Sequence, residues 1–460
     1  MDNNYLNIKK ILAYSSGMLG WSILITINSV MLIYFYLPPE GSGMEPLIPQ
    51  ITLLKIFSVL ALIAAGGRLF DAVSDPWIAW ISDKSKLTRG RRLPFMRFAW
   101  LPAFVCCFIV FVPARLSESH LNIITLILSL VFFYLFLTIY NIPYNALMPE
   151  LAQTSRDKIK LSTWLSLAYV GGLILAAQTP LLADLIEHLF DLPGRARAFQ
   201  IAIMIMCAIA GIFLMIPAYA IDEKKFRTGK PAEITFRKSL TVTLKNRNFR
   251  LFLVADFAYF MAVAIISGGM LYYLKVLLGL DEAMSSTVFG AMIIVSVLFY
   301  PLVMYISKYV QKKYLMSFGL VFMGVVFLAI YFLGKLPMSP TLQIYLFALL
   351  ASIPVALLGI IPYAVIAEIA QLDGLVTSQN KEGMYFAVRN FFYKLGMTAG
   401  IMIFTILTLW GKDPGDDLGI RLNGIFGFVL CVVAGLVFLL YRERDVVNGI
   451  EEHRSVIGDR

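Results

Sequence analysis

Charged side chains are scarce in this 460-residue chain, at 15% of residues, against about 25% in a typical soluble domain. Hydrophobic residues make up 59%, which is more than a soluble fold can cover with polar surface. This balance argues against a soluble enzyme, a nucleic-acid binder and a disordered chain. It indicates a membrane protein with many spans.

Cysteine and histidine are scarce as well, with four and three residues. The cysteines lie in apolar segments, and no Cys-x-x-Cys or Cys/His spacing occurs. We therefore expect no disulfide framework, no zinc site and no organic cofactor. We also expect no cleavable signal peptide, because the first apolar run is too long and lacks a small-residue cleavage site.

Long apolar runs recur along the whole chain. A membrane-spanning helix needs about 20 apolar residues, and none of the runs alternates like a membrane strand. The pattern predicts an all-α protein with twelve transmembrane helices. The predicted spans are 10–36, 51–82, 93–114, 121–147, 161–184, 198–221, 248–277, 286–308, 313–334, 341–371, 384–410 and 421–442.

The net charge of +10 follows from this topology. Most Lys and Arg residues fall in alternate connections, which the positive-inside rule assigns to the cytoplasm together with both termini. We therefore expect no nucleic-acid partner. The short termini and compact loops are typical of a bacterial inner-membrane protein.

An internal repeat divides the chain. The sequence IPYNALMPELAQ begins at Ile142, IPYAVIAEIAQ begins at Ile361, and a weaker echo pairs Asp75 with Tyr300. The repeat predicts two six-helix bundles with a substrate site between them, near the middle of the bilayer. The predicted bundles are residues 1–221 and 248–442, joined by a linker, 222–247, and followed by a tail, 443–460.

The predicted second helix carries the sharpest polar group, RLFDAVSDP. Asp71 and Asp75 are four residues apart and share a face with Arg68, and Pro76 frees the carbonyl of Ala72. Charges inside the membrane are costly and mark functional sites. Two carboxylates and a carbonyl suit sodium or a proton, although a structural Arg–Asp network is the alternative.

The next loop reads SDKSKLTRGRR. Asp83, Arg91 and Arg92 can latch the halves together through contacts with carboxylates and helix ends. We group Arg68 with them as gating residues. The alternative is ordinary positive charge in a cytoplasmic loop.

The predicted fourth helix places Thr138, Asn141 and Asn145 on one face. Their side chains are neutral ligands for a cation or for a polar substrate. The alternative is hydrogen bonding between helices.

The predicted eleventh helix carries Arg389 and Lys394, which point about 140° apart on a helix of 3.6 residues per turn. Lys394 is the candidate for substrate binding, and Arg389 can instead pair with Asp256. Ser22 and Trp164 are weaker substrate candidates, because Ser commonly packs and Trp commonly lies at the membrane surface.

Together these motifs resemble the glycoside–pentoside–hexuronide:cation symporter family of the major facilitator superfamily. The resemblance covers nearly the whole chain. It rests on FDAVSDPWIAWISDKS from Phe70, NIPYNALMPELAQ from Asn141, IPYAVIAEIA from Ile361 and EGMYFAVRNFFYKLG from Glu382.

The resemblance implies the major facilitator fold and symport with sodium or a proton by alternating access. We also expect a monomer, and not an enzyme, because no His/Asp/Glu or Ser/His cluster stands at a membrane face of the predicted bundle. The resemblance further implies that Asp71, Asp75 and Thr138 bind the cation, with Asn141 beside them, and that Lys394 lies at the sugar site.

Melibiose-type members of that family carry aspartates where this chain has Ser22 and Asn141, and an aromatic residue in place of Asn145. Their arginine in the fifth helix has no match near Trp164. Carboxylates bind hydroxyl pairs more strongly than neutral groups do, so a galactoside is disfavoured. Other glycosides, a uronide, an anionic amphiphile such as a lysophospholipid, and an uncoupled transporter or scramblase stay open.

Overall fold

The computed structural model describes most of the chain. The described residues are 7–36, 38, 44–49, 52–53, 57–85, 90–190, 194–223, 230–231, 235–280, 284–377, 379–411 and 413–458.

Helices dominate the described residues. They are α1 (Ile8–Tyr36), α2 (Val59–Lys84), α3 (Leu93–Ile109), α4 (His120–Ala146), α5 (Met148–Leu151), α6 (Ser155–Ala177), α7 (Thr179–Phe190), α8 (Arg195–Ala220), α9 (Phe236–Lys245), α10 (Arg247–Tyr272), α11 (Met284–Leu298), α12 (Tyr300–Ile306), α13 (Lys312–Phe332), α14 (Pro340–Thr377), α15 (Glu382–Leu407), α16 (Leu418–Phe438) and α17 (Glu443–Gly458). A π-helical turn (Tyr273–Leu277) follows α10, and a 3₁₀ turn (Thr408–Trp410) follows α15.

Strand pairing within the described residues is confined to two short ladders. Strands β1 (Thr52–Leu53) and β2 (Phe57–Ser58) are antiparallel, and β3 (Lys230–Pro231) runs parallel to β4 (Gln379–Asn380). The all-α prediction is therefore confirmed.

Each predicted span contains a helix, and nine helical stretches of the described chain are long and apolar enough to cross a membrane. The second helix begins at Val59 rather than at residue 51. Three spans are interrupted where a new helix starts with proline in its first turn, at Pro149, Pro180 and Pro301. Proline has no N–H to donate, so it is tolerated there but ends the preceding helix.

The chain divides into two compact units. The first contains residues 1–152, 164–236 and 379–387, and the second contains 153–163, 237–378 and 388–460. Each unit thus includes one short segment from the other half of the sequence. Residues 379–387 belong to the first unit, and residues 153–163 belong to the second. The predicted bundle boundaries stay a prediction.

In the first unit, α1 packs on α8 and α4 packs on α2 and α3. The Tyr14 and Tyr144 rings stack, and each hydroxyl donates to the other residue's backbone carbonyl, at 2.6 and 2.7 Å. In the second unit, α13 packs on α16 and α14. Apolar surface on these helices also faces outward, as a lipid-embedded protein requires.

Candidate functional site

Two carboxylates and one hydroxyl form the centre of the first unit's polar site. The Thr138 hydroxyl on α4 lies 2.8 Å from Asp71 Oδ1 and 3.3 Å from Asp75 Oδ1, both on α2. Asp75 is 2% exposed and Thr138 is 1% exposed. The four-residue spacing places both acids on one face of α2, and that face meets the Thr138 hydroxyl on α4.

A hydroxyl carries a single proton, so Thr138 satisfies at most one of the two carboxylates at a time. When both are ionised, two carboxylates around one oxygen repel each other in a medium of low dielectric constant. The Ser74 hydroxyl lies 3.5 Å from that of Thr138 and donates to the backbone carbonyl of Asp71. This arrangement of oxygen atoms suits a small hard cation or a shared proton.

No three His, Cys, Asp or Glu side chains gather closely enough to hold a metal ion within the described chain. The site is thus poorer in charged ligands than a typical divalent-metal site. Helix α2 passes through Pro76 without ending. Arg68 lies in α2, but its side chain lies outside the described residues.

Asn141 and Asn145 form a buried amide pair on α4. The Asn145 side-chain NH₂ group donates to the side-chain oxygen of Asn141 at 2.9 Å and to its backbone carbonyl at 3.0 Å. One turn of helix separates this pair from Thr138. The structure therefore brings four sequence-predicted residues of α2 and α4, with Asn145, into one region of the first unit.

Ser22 and Trp164 lie elsewhere in that unit. Ser22 is fully buried on α1 and donates to the backbone carbonyl of Tyr169 on α6 at 2.7 Å. Trp164 is half-buried on α6. Both residues remain substrate candidates from sequence, with the Ser22 hydroxyl engaged in a contact between helices.

Lys394 and Arg389 belong to the second unit. Lys394 is half-buried on α15. Arg389 forms two parallel hydrogen bonds with Asp256 of α10, Nε to Oδ2 at 2.9 Å and Nη2 to Oδ1 at 3.1 Å. Its guanidinium also lies 4.3 Å from the centre of the Tyr363 ring. The pairing of Arg389 with Asp256 is confirmed.

The predicted gating residues form a second polar cluster in the first unit. Arg92 is fully buried, with Nη1 lying 3.3 Å from Glu150 and Nη2 lying 2.6 Å from Glu382. Arg91 is also fully buried and pairs with Glu150. Burial lowers the pKa of Arg92, but the carboxylates of Glu150 and Glu382 outweigh it, so the pKa is raised overall.

Glu223 completes this cluster by capping α3. Its carboxylate accepts the backbone N–H groups of Arg91, Arg92 and Leu93 at 2.7–3.1 Å. These are the donors that a helix start leaves without partners. Gly90 precedes them with φ +124°, and a Cβ there would lie 2.4 Å from Glu223 Oε2. Only glycine allows this approach.

Asp83 binds the start of α15 instead. Its carboxylate accepts the N–H groups of Gly383 at 3.2 Å and Met384 at 3.1 Å. A Cβ on Gly383 would lie 2.8 Å from Asp83 Oδ1. Burial raises the pKa of Asp83 to about 6, although Arg92 acts in the opposite direction.

The second unit repeats the arrangement. Glu443 accepts the N–H groups of Lys312 and Lys313 at the start of α13. The Lys312 ammonium lies 3.0 Å from Glu443 and 3.1 Å from Glu368, and Ser155 donates to Glu368 at 2.5 Å. Both units thus contain a cation at a helix start, a buried acid on another helix that pairs with it (Glu150 or Glu368), and an acid that caps the helix start (Glu223 or Glu443).

The sequence interpretation missed the glutamates of these two clusters. The repeat itself contained the signal, because Glu150 and Glu368 occupy the same place in its two copies. Glu223 and Glu443 follow the last apolar run of each half in the same way. Glu382 lies in the motif EGMYFAVRNFFYKLG, and no local pattern identifies Arg92 as its partner.

Comparison with known proteins gives consistent results. The family model described as MFS/sugar transport protein matches residues 13–441. The inner membrane symporter YicJ of Escherichia coli K12 is 23% identical over 421 residues, covering 90% of this chain and 86% of that protein. The sodium-dependent lysophosphatidylcholine symporter 1-A of Danio rerio is 20% identical, covering 76% of this chain and 70% of that protein.

A solved structure of the proton:xylose symporter XylE, a major facilitator protein, aligns with a TM-score of 0.69 at 12% identity. The alignment covers 98% of this chain and 99% of that one. This likeness confirms the predicted major facilitator fold. Family and fold are those of multi-pass membrane transporters, not of enzymes.

Proposed function

We propose that this chain, which belongs to the family of MFS/sugar transport proteins, is a secondary symporter that couples a small polar substrate to sodium or a proton. Transport proceeds by alternating access and involves no covalent step. The observation that carries the proposal is the placement of Asp71 and Asp75 around Thr138.

The coupling follows from the charges of that site. Unoccupied, its two buried carboxylates repel each other. A cation relieves the repulsion and favours one arrangement of α2 and α4. If that arrangement also binds substrate better, each ligand raises the affinity for the other by the same factor. A proton shared between Asp71 and Asp75 would act in the same way as sodium.

A sugar or glycoside is the first substrate candidate. The family's description supports it, and amides such as Asn141 and Asn145 donate and accept hydrogen bonds with hydroxyl groups. Lys394 and Trp164 complete the proposed substrate set. Ser22 joins it only if its hydroxyl leaves the Tyr169 carbonyl.

An anionic amphiphile is the second candidate. The amide pair of Asn145 and Asn141 supplies no carboxylate for hydroxyl groups, whereas Lys394 supplies a cation for an acidic head group. A relative named as a sodium-dependent lysophosphatidylcholine symporter supports this alternative.

The proposed gate consists of Asp83, Arg91 and Arg92, with Arg68 as its sequence-predicted member. The buried ion pairs of Arg91 and Arg92, and the contact of Asp83 with the start of α15, support this role. We further propose that the protein works as a monomer in a bacterial inner membrane, with both termini in the cytoplasm.

Gradient-driven uptake in proteoliposomes tests the proposal. Asp71→Asn and Asp75→Asn should each abolish accumulation driven by a sodium or proton gradient. Thr138→Val removes one hydrogen bond to a charged group, worth about 1.5–3 kcal/mol. It should therefore weaken cation activation about tenfold or more, whereas Thr138→Ser should not.

Asp413→Asn is the matched control, because Asp413 is an exposed aspartate of the loop before α16. Full accumulation by both the Asp71 and Asp75 variants would overturn the cation-site assignment. A thermal-shift screen of sugars, uronides and lysolipids, with and without sodium, separates the two substrate candidates. The same screen at varied pH separates sodium from proton coupling.

A further inference from the structure

Five exposed cations surround the turn between α9 and α10. They are Arg237, Lys238 and Lys245 on α9, and Arg247 and Arg250 on the first turn of α10. We call these five residues the basic corner. No aspartate or glutamate occurs from Ile234 to Ala255, between Glu233 and Asp256.

The charged residues and the buried residues of helix α9 lie on different faces. With 3.6 residues per turn, Arg237, Lys238 and Lys245 fall within an arc of about 100°. Ser239 and Thr243 are buried and lie on the opposite side. The three cations are therefore presented together, away from the packed side of the helix.

The turn holds the two parts of the basic corner in place. The Asn246 side chain accepts the backbone N–H of Phe249 at 3.1 Å and so caps α10. Arg247 and Arg250 are three residues apart, so they project from the same side of that helix. The five charges thus stand on a folded surface rather than on a loose loop.

The basic corner differs from the buried cations of the protein. Arg91, Arg92, Lys312 and Arg389 each pair with carboxylates. Within the described part of the chain, the charged groups of the basic corner make no ion pair and no hydrogen bond; the Thr241 hydroxyl donates only to the backbone carbonyl of Arg237.

The position along the chain places this charge at the bilayer surface. The apolar stretch long enough to cross the membrane begins at Arg247, so α9 and the first turn of α10 lie at the level of the lipid head groups. Clusters of four to eight Lys/Arg residues beside a membrane span, or on an amphipathic helix, attract anionic lipids. Cations that only set the orientation of the protein in the membrane need not share one helical face, and they need not lie in a stretch free of acids.

We propose that the basic corner binds the phosphate groups of anionic phospholipids. The ligand is a lipid of the surrounding leaflet, and the site is separate from the transport site. Its affinity depends on exposed charges, so it falls as salt shortens the Debye length below about 10 Å.

The test uses the full-length protein in micelles of a zwitterionic detergent, titrated with phosphatidylglycerol or phosphatidylcholine. Native mass spectrometry counts the lipids that the protein retains. The variant with Arg237→Gln, Lys238→Gln and Lys245→Gln should retain phosphatidylglycerol with about a hundredfold lower affinity, since each cation near a lipid surface contributes several-fold. Phosphatidylcholine retention should not change.

A control variant with Lys9→Gln, Arg156→Gln and Arg444→Gln removes the same charge from three exposed residues on separate helices. It should bind phosphatidylglycerol like the unmodified protein. Equal melting temperatures in phosphatidylcholine check that both variants fold. Equal retention by the two variants, or equally tight binding of inorganic phosphate alone, would overturn the proposal.

Discussion

Arg92 and Glu382 lie 290 residues apart in the chain, and their side chains form a buried ion pair at 2.6 Å within the first unit. Glu382 is the first residue of α15, whose later part, from Val388, belongs to the second unit. The pair therefore ties the first turn of α15 to the unit that carries the proposed cation site.

We expect Arg92→Gln and Glu382→Gln to be coupled in thermal unfolding. Contacting residues of one ionic network show interaction energies of about 0.5–3 kcal/mol in a double-mutant cycle. The control cycle pairs Arg92→Gln with Glu118→Gln, since Glu118 is exposed in the loop between α3 and α4. That control should be additive within about 0.5 kcal/mol. Additivity in both cycles would show that the contact between Arg92 and Glu382 contributes nothing to the free energy of unfolding.

Asp83 should make stability depend on pH. Its pKa is raised by burial to about 6, so the folded state binds the proton more tightly than the unfolded state does. The contribution of the protonated group is complete below about pH 4 and is lost as the pH rises through about 6, on the order of 3 kcal/mol. The melting temperature relative to Asp83→Asn should therefore fall between about pH 4 and pH 7. A difference that stays flat or grows with pH contradicts the buried state of this acid.

Local periodicity predicted the shared face on which the proposed cation site rests. Asp71 and Asp75 share a face because they are four residues apart, and an apolar setting makes both conspicuous. Their contact with Thr138 joins α2 to α4, and only the family resemblance anticipated it. The likeness of the repeats anticipated the two-fold division in the same way.

The sequence predicted that Asp83, Arg91 and Arg92 contact carboxylates and helix ends, but the identity of their partners was beyond such reasoning for a physical reason. Glu223 caps α3 from 131 residues away, and Asp83 binds the N–H of Gly383 from 300 residues away. Backbone N–H groups have no sequence signature, so their acid partners look like ordinary loop charges. Ser22 shows the converse case. Its polarity within an apolar helix suggested a role in substrate binding, whereas its hydroxyl donates to the backbone carbonyl of Tyr169 on the neighbouring helix α6.

Gly90→Ala should destabilise the protein through two separate effects. The positive φ of +124° strains any residue with a Cβ, and that Cβ would also meet Glu223 at 2.4 Å. Gly194→Ala is a matched control, because Gly194 has φ +110° and nothing within 4 Å of an added Cβ. Backbone strain costs about 1–3 kcal/mol at either site, so the excess loss of melting temperature in Gly90→Ala measures the clash with the cap. Equal losses would mean that Glu223 moves aside freely.

Breaking the Arg389–Asp256 pair should destabilise the folded protein strongly, whereas replacing both residues with apolar ones should destabilise it little. Asp256 is 1% exposed and Arg389 is 4% exposed, so Asp256→Asn leaves a buried guanidinium without its counter-charge and should cost about 3–5 kcal/mol. Arg389→Lys keeps the charge but loses the two-point contact. Its stability should therefore lie between that of Asp256→Asn and that of the unmodified protein. Combining Asp256→Leu with Arg389→Met should restore most of the stability, because apolar packing avoids burying both charges.

The comparison is Asp417→Asn, which breaks the Arg421 pair beside α16. Arg421 is 8% and Asp417 is 26% exposed, and the Arg421 guanidinium keeps its hydrogen bonds to the carbonyls of Tyr331 and Leu333. This change should therefore lower the melting temperature less than Asp256→Asn does. Transport assays on the stable Leu/Met combination then show whether the pair has a role beyond packing. Unimpaired uptake assigns it to the stability of the second unit, whereas lost uptake in a well-folded protein assigns the charged pair to the transport cycle.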